Sequence, residues 1–346
     1  MIDFRYHLVS IVAVFLALAI GIVLGAAELQ GPTYNLLNGT TAKLQNELGQ
    51  ANSQRIMAQE QANAGDSYAE AVESEVLHNL LAGQKLLIVT EPGAQGSVVS
   101  GITSAANDAG AEVTGQINLQ AKFFDTSDTT QDSLNQINLD VASHAGITLD
   151  NSETYQQQAA QVIASEILTK LPGTSNGIVQ GGAGQDTEAA TMLSAYAYAG
   201  FLTTSGQPST PATLAVVITP QTAPSDGSSD PLDLLLVPVA QELAATSAAT
   251  VVAGSSTGSG PGSPIAVLRS NNVANQVSTI DDADFVCGQS VVIQALAIQL
   301  NGGKPGSYGF ASNGASAVAP SAAPTPTASS SPSPTPTPTS SKKANK

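Results

Sequence analysis

One cysteine, Cys287, serves the whole chain, so an intramolecular disulfide is excluded, and so are zinc ribbons and CxxC redox chemistry. With one thiol, cysteine usage is silent on the redox compartment. Positive charge is scarce: 11 Lys and Arg stand against 27 Asp and Glu, a net charge of −16. Three of those bases, Lys342, Lys343 and Lys346, crowd the last few positions, leaving the middle of the chain more acidic still. Nucleic acid is therefore excluded as a partner, because phosphate contacts need clustered Lys and Arg. Charged residues of both signs make up only 11% of the chain against 42% hydrophobic, so the surface must rest on Ser, Thr, Gln, Asn and Gly.

Soft metal ligands are equally thin. His7, His78, His144, Met1, Met57, Met192 and Cys287 are scattered, and no spacing groups thiolate, thioether or imidazole as a copper site would require. Cys287, beside Val286 and ahead of an apolar helix, reads as a small hydrophobe. Two matches to G-x-S-x-G, Gly173–Gly177 and Gly254–Gly258, lack the helix that must directly follow a nucleophilic serine. Gly93-x-x-Gly96, Gly181-Gly182-x-Gly184 and Gly303-Lys304-Pro305 all fail the order of phosphate-binding loops. No catalytic, cofactor or metal residue is assigned, and the chain does not read as an enzyme.

What is present begins with a long hydrophobic run. Leu8 to Ala27 (LVSIVAVFLALAIGIVLGAA) carries no charge, and at about 1.5 Å per residue it spans roughly 30 Å, the thickness of a bilayer core. Arg5 precedes the run, Glu28 follows it, and the next base is Lys43. That asymmetry places residues 1–7 in the cytoplasm and the rest of the chain outside, on a single-pass anchor. Gly25 and Ala27 also suit the −3 and −1 positions of a cleaved signal peptide, but the apolar run is longer than such peptides use and the leading MIDFRYH is weakly basic.

After Gly31-Pro32, residues 33–82 read as a helical stalk in one piece, or two joined near Gly65. Leu37, Thr41, Leu44, Leu48, Ala51 and Ala58 follow a 3/4 spacing that fits a weak coiled coil and a homo-oligomer, or equally a solvated spacer. An α/β domain is expected over 84–313. Strands fall at Lys85–Thr90, Glu112–Leu119, Thr213–Thr219, Thr250–Ala253 and Ile265–Leu268, with helices at Gly96–Ala109, Gln131–Ala145, Ser152–Leu171, Asp186–Leu202, Pro231–Ala245 (N-capped by Asp230) and Ser290–Leu300. This alternation predicts a Rossmann-like, mostly parallel sheet covered on both faces, and not a membrane barrel. Residues 314–346 collapse to Ala, Pro, Ser and Thr and read as a disordered tail.

The densest acidic segment is Ser278-Thr279-Ile280-Asp281-Asp282-Ala283-Asp284. Ser278, Thr279, Asp281, Asp282 and Asp284 form a candidate loop or partner motif. Their carboxylates could hold a hard cation, but fit better as caps that favour the N-terminus of the following helix.

Taken together, the opening MIDFRYHLVSIVAVFLALAIGIVLG, the strand KLLIVTEPGA, and VSTIDDAD leading into VVIQALAIQLNGGKPGSYG resemble the actinobacterial copper transport protein B family over about residues 1–309. The resemblance implies a cell-envelope protein of copper efflux and copper tolerance, placed in the outer membrane, with copper ion as a partner. The residues by themselves leave a second reading open: an inner-membrane-anchored envelope scaffold that binds a partner through its stalk and α/β domain and controls cell-wall remodelling.

Overall fold

The computed structural model describes residues 4–170, 183–221, 231–310, 315 and 317–320. The Asp230 cap, the Gly173–Gly177 motif, Gly181-Gly182 and nearly all of the tail lie outside them. The chain divides into two units, Met1–Ala69 and Glu70–Lys346.

The first unit is helical. It belongs to α1 (Phe4–Leu77), which runs through Gly31-Pro32, where the sequence suggests a boundary. Proline removes one backbone hydrogen bond and crowds the preceding turn, a local cost that the long helical stretches on either side can absorb. Within α1, Tyr6–Gly25 is long and apolar enough to cross a membrane. Its side chains point outward all round, with Phe15 68% and Leu24 61% exposed, so the unit itself offers no core to cover them. A helix that is apolar on every side needs an apolar solvent, and a bilayer supplies one. Farther along, Leu44, Leu48 and Met57 are also exposed.

The second unit is built on a seven-stranded sheet in the order β3-β2-β1-β4-β5-β6-β7. The strands are β1 (Lys85–Thr90), β2 (Glu112–Leu119), β3 (Leu202–Gly206), β4 (Leu214–Ile218), β5 (Ala249–Ala253), β6 (Ser278–Ile280) and β7 (Ser307–Tyr308). All neighbours are parallel except β3, which pairs antiparallel with β2. Central strands such as β4 (LAVVI) and β5 (ATVVA) are buried along their whole length, as expected of a parallel sheet covered on both faces.

One face packs under α2 (Gly96–Asp108) and α8 (Val286–Leu300), joined by Leu77 and Leu81 from the end of α1 and the turn after it. The other carries α3 (Asp128–Ala145), α4 (Tyr155–Ile167), α5 (Ala183–Tyr198), α6 (Pro231–Thr246) and α7 (Pro264–Ser270). The Rossmann-like, mostly parallel architecture is thus present.

One expected element is wrong in kind: Ile265–Leu268 is not a strand but the middle of α7. Ser263 caps α7 through its side chain, accepting from the Ala266 N–H, and Pro264 occupies the first turn. That start signal outweighs a short apolar run, which does not by itself separate strand from helix. β3 went unseen because LTTSG buries only its first residue and is otherwise polar, as an edge strand can be.

The end of α1 is fastened into the second unit by a buried polar contact. The Ser290 hydroxyl of α8 donates to Glu73 Oε1 at 2.7 Å. Burial, together with the charges of Asp108 and Glu70, raises the Glu73 pKa, against the lowering effect of Ser290. Ser290→Ala should cost about 1–3 kcal/mol by leaving a buried carboxylate unsatisfied, and Glu73→Leu added to it should recover most of that loss. Denaturant melts of the full chain followed by circular dichroism check both.

Candidate functional site

The acidic segment leaves the sheet at the carboxyl end of β6, and the structure gives its members separate tasks. Ser278 Oγ accepts from Gln299 Nε2 at 2.9 Å and from the Gly306 N–H at 3.1 Å. Thr279 Oγ1 accepts from Arg269 Nε at 2.9 Å. These two residues tie β6 to α8, to α7 and to the segment that enters β7.

Asp281 is the centre of the arrangement. Its Oδ2 meets Arg269 Nη1 at 2.5 Å, with the two side chains 0% and 2% exposed. Its Oδ1 accepts from the Phe310 N–H at 2.7 Å, and Arg269 Nη2 donates to the Tyr308 carbonyl at 2.7 Å. Gly309 passes so close to the Asp281 carboxylate that a Cβ there would collide with it, and its φ of +123° is one that side-chain-bearing residues rarely adopt. The segments STIDDAD and GSYG, far apart in sequence, are therefore two halves of one buried clasp, with Arg269 between them.

Asp284 does something different. It accepts from the Ser256 N–H at 2.8 Å and the Ser256 hydroxyl at 2.7 Å, pinning the 3-10 turn Ser256–Gly258 after β5. Ser256 is the serine of the second G-x-S-x-G match, and the segment enters a three-residue turn and no helix.

Asp282 is fully buried and neither of its carboxylate oxygens has a hydrogen-bond partner among the described residues. Its backbone is pressed against Gly288, where a Cβ would meet the Asp282 carbonyl. Burial, reinforced by the charges of Asp281 and Asp284 and only partly offset by its own backbone N–H and by Arg269, pushes its pKa up to about 7.

The expected capping of the last helix takes another form: the cap position of α8 is Phe285, which makes no side-chain cap hydrogen bond. The carboxylates of Asp281 and Asp284 are spent on α7, on the segment after β7 and on the turn after β5 instead.

Arg269 is the partner that sequence reasoning missed. A signal for it exists, since it is the only base between Lys170 and Lys304 and interrupts an apolar run. Among the described residues, no three of His, Cys, Asp and Glu converge as a metal ion would require. Cys287 is half-buried in the first turn of α8.

Comparison with known proteins gives a consistent result. The family model described as copper transport outer membrane protein, MctB, matches residues 1–320. The chain is 28% identical over 312 residues to the copper transporter MctB of Mycobacterium tuberculosis (strain ATCC 25618 / H37Rv), covering 89% of this chain and 96% of that protein. It is 27% identical over 327 residues to the copper transporter MctB of Mycobacterium leprae (strain TN), covering 92% and 100%. The chain belongs to the MctB family of copper transport outer membrane proteins.

The three aspartates should separate in mutagenesis. Asp281→Asn, which strands a buried guanidinium, should cost about 3–5 kcal/mol, and Asp284→Ala about 1 kcal/mol. Asp282→Asn should act in the opposite direction. The folded chain keeps that proton to about pH 7, whereas an unfolded aspartate releases it near pH 4. Its contribution is therefore full below about pH 4 and is lost as pH rises to about 7. Thermal melts should show Asp282→Asn more stable than wild type at pH 8, by an amount that shrinks at pH 5.

Proposed function

We propose that this MctB-family chain takes part in copper transport at the cell envelope, with copper ion as the substrate moved and not a resident cofactor. One observation carries the reading: the family match begins at residue 1 and runs through the apolar helix and the whole α/β unit, so it is no likeness of one module alone. The relatives are named copper transporters, and nearly their full length is matched. No residue of this chain is assigned a mechanism by that likeness.

In this reading Tyr6–Gly25 crosses a membrane once. Arg5 ahead of the span, with Glu28 after it and no base until Lys43, supports an N-terminus in the cytoplasm and the α/β unit outside. Residues 33–82 act as the stalk and 84–313 as the working domain, while 314–346, rich in Ala, Pro, Ser and Thr, form a tail that lies almost wholly outside the described residues. Exposed Leu44, Leu48 and Met57 support stalk-to-stalk association between copies of the chain. The protein is read as a non-enzyme, in line with relatives that are named as transporters.

A second reading, an envelope scaffold held in the inner membrane and acting on a partner that remodels the cell wall, draws on the sheet. Its strands run from two to eight residues and its core is buried under helices on both faces, the build of a globular domain and not of a lipid-facing barrel. The membrane component is then Tyr6–Gly25, the one helix among the described residues long and apolar enough to cross a membrane, which favours retention in the inner membrane.

Cell-associated copper decides between them. A deletion strain grown in added copper should accumulate more copper and grow less, and the full chain should restore both. A chain lacking residues 4–25 should restore neither. Unchanged copper with altered cell shape or separation would overturn the transport reading in favour of the scaffold.

A further inference from the structure

Between α3, α4 and α5 lies a cavity of about 400 Å³, on the opposite face of the sheet from α8 and clear of the aspartate clasp. Its floor includes Val141, Met192 and Ala195, and its rim carries the carboxylates of Asp140, Glu166 and Glu188. Among the described residues lining it there is neither Lys nor Arg. Asp140 has a neighbour in His144, whose Nδ1 lies 3.9 Å from Asp140 Oδ1. Glu166 is half-buried, burial followed by the charge of Glu188 raises its pKa, and both carboxylates line the same cavity.

The wall is firm. Tyr196, one residue beyond Ala195, donates its hydroxyl hydrogen to Asn138 Oδ1 at 2.8 Å, and Asn138 Nδ2 donates to the Tyr155 carbonyl at 2.8 Å. This buried relay links α5, α3 and α4 beside the cavity.

The geometry points to a binding site for a small organic ammonium ion, whose charged head sits between Glu166 and Glu188 and whose apolar body rests on Val141, Met192 and Ala195. The volume is that of a ligand pocket, and the combination of apolar floor and like-charged rim is complementary to a cation with a hydrophobic body. An inorganic metal ion fits less well, because the described residues contain no group of three His, Cys, Asp or Glu set to converge on one. This site is independent of the copper reading and survives its failure.

Benzylammonium is a suitable probe, with benzoate and benzyl alcohol as anionic and neutral matches in shape. Titrated calorimetrically into the full chain in lipid nanodiscs, with empty nanodiscs subtracted, benzylammonium should bind saturably with a Kd of about 1 mM or tighter. Benzoate and benzyl alcohol should bind at least about tenfold more weakly, as expected when one charge contact decides recognition. The double variant Glu166→Gln with Glu188→Gln should lose at least about tenfold in affinity for benzylammonium. Thr191→Phe, which keeps both carboxylates and puts a ring at the lining, should block the same binding and serves if the double variant does not fold. Absence of saturable binding, equal binding of all three probes, or binding unchanged in the folded variants would overturn the assignment. So would copper ion competing with benzylammonium for the site and losing its own binding in the same variants, which would make the cavity a metal site.

Discussion

Arg269 and Asp281 form an ion pair where neither side chain reaches water, and the far edge of the sheet is organised around that pair. Moving two ions out of water is expensive, and the cost is offset only when geometry is close and the remaining donors and acceptors are used. Here they are used: the guanidinium also serves Thr279 and the Tyr308 carbonyl, and the carboxylate takes the Phe310 N–H. β6 has three residues and β7 two, lengths at which backbone pairing alone would hold poorly. The ion pair lets so short an edge persist and couples it to α7 on one face of the sheet.

The same region shows why an acidic run should be resolved residue by residue. Asp281 is paired, Asp284 organises a turn across the strand ends, and Asp282 is buried without a hydrogen-bond partner and holds its proton to about pH 7. Three like charges in four positions would repel if all were ionised, and the fold relieves this by pairing one and keeping another neutral below that pH. In a chain with only 11% charged residues, charges buried in this way are structural parts before they are anything else.

Transport and anchoring make different demands on the molecule. The apolar part of α1 finds its energy outside the protein, in lipid, whereas the α/β unit has two covered sheet faces and holds the last turns of α1 through Glu73 and Leu77. Family membership attaches copper transport to this combination. The cavity between α3, α4 and α5 adds a second chemistry, since its rim is acidic and its floor apolar.

Much of the architecture was readable from residue order. Twenty uncharged residues at the start, continuous β-branched runs such as KLLIVT and LAVVI, and helices between them depend on composition and period, which are local properties. The resemblance segments likewise marked the family over nearly the whole chain. Tertiary structure alone decided the rest, because those questions turn on partners distant in sequence. The polar LTTSG becomes a strand only because β2 offers an edge; α7, by contrast, is set locally, by the Ser263 cap and Pro264 that start a helix where the apolar tetrad suggests a strand. Asp281, Asp282 and Asp284 look alike in a string of letters. What separates them is where Arg269, Gly288 and Ser256 stand, and only the folded sheet brings those residues within hydrogen-bonding or van der Waals reach of them.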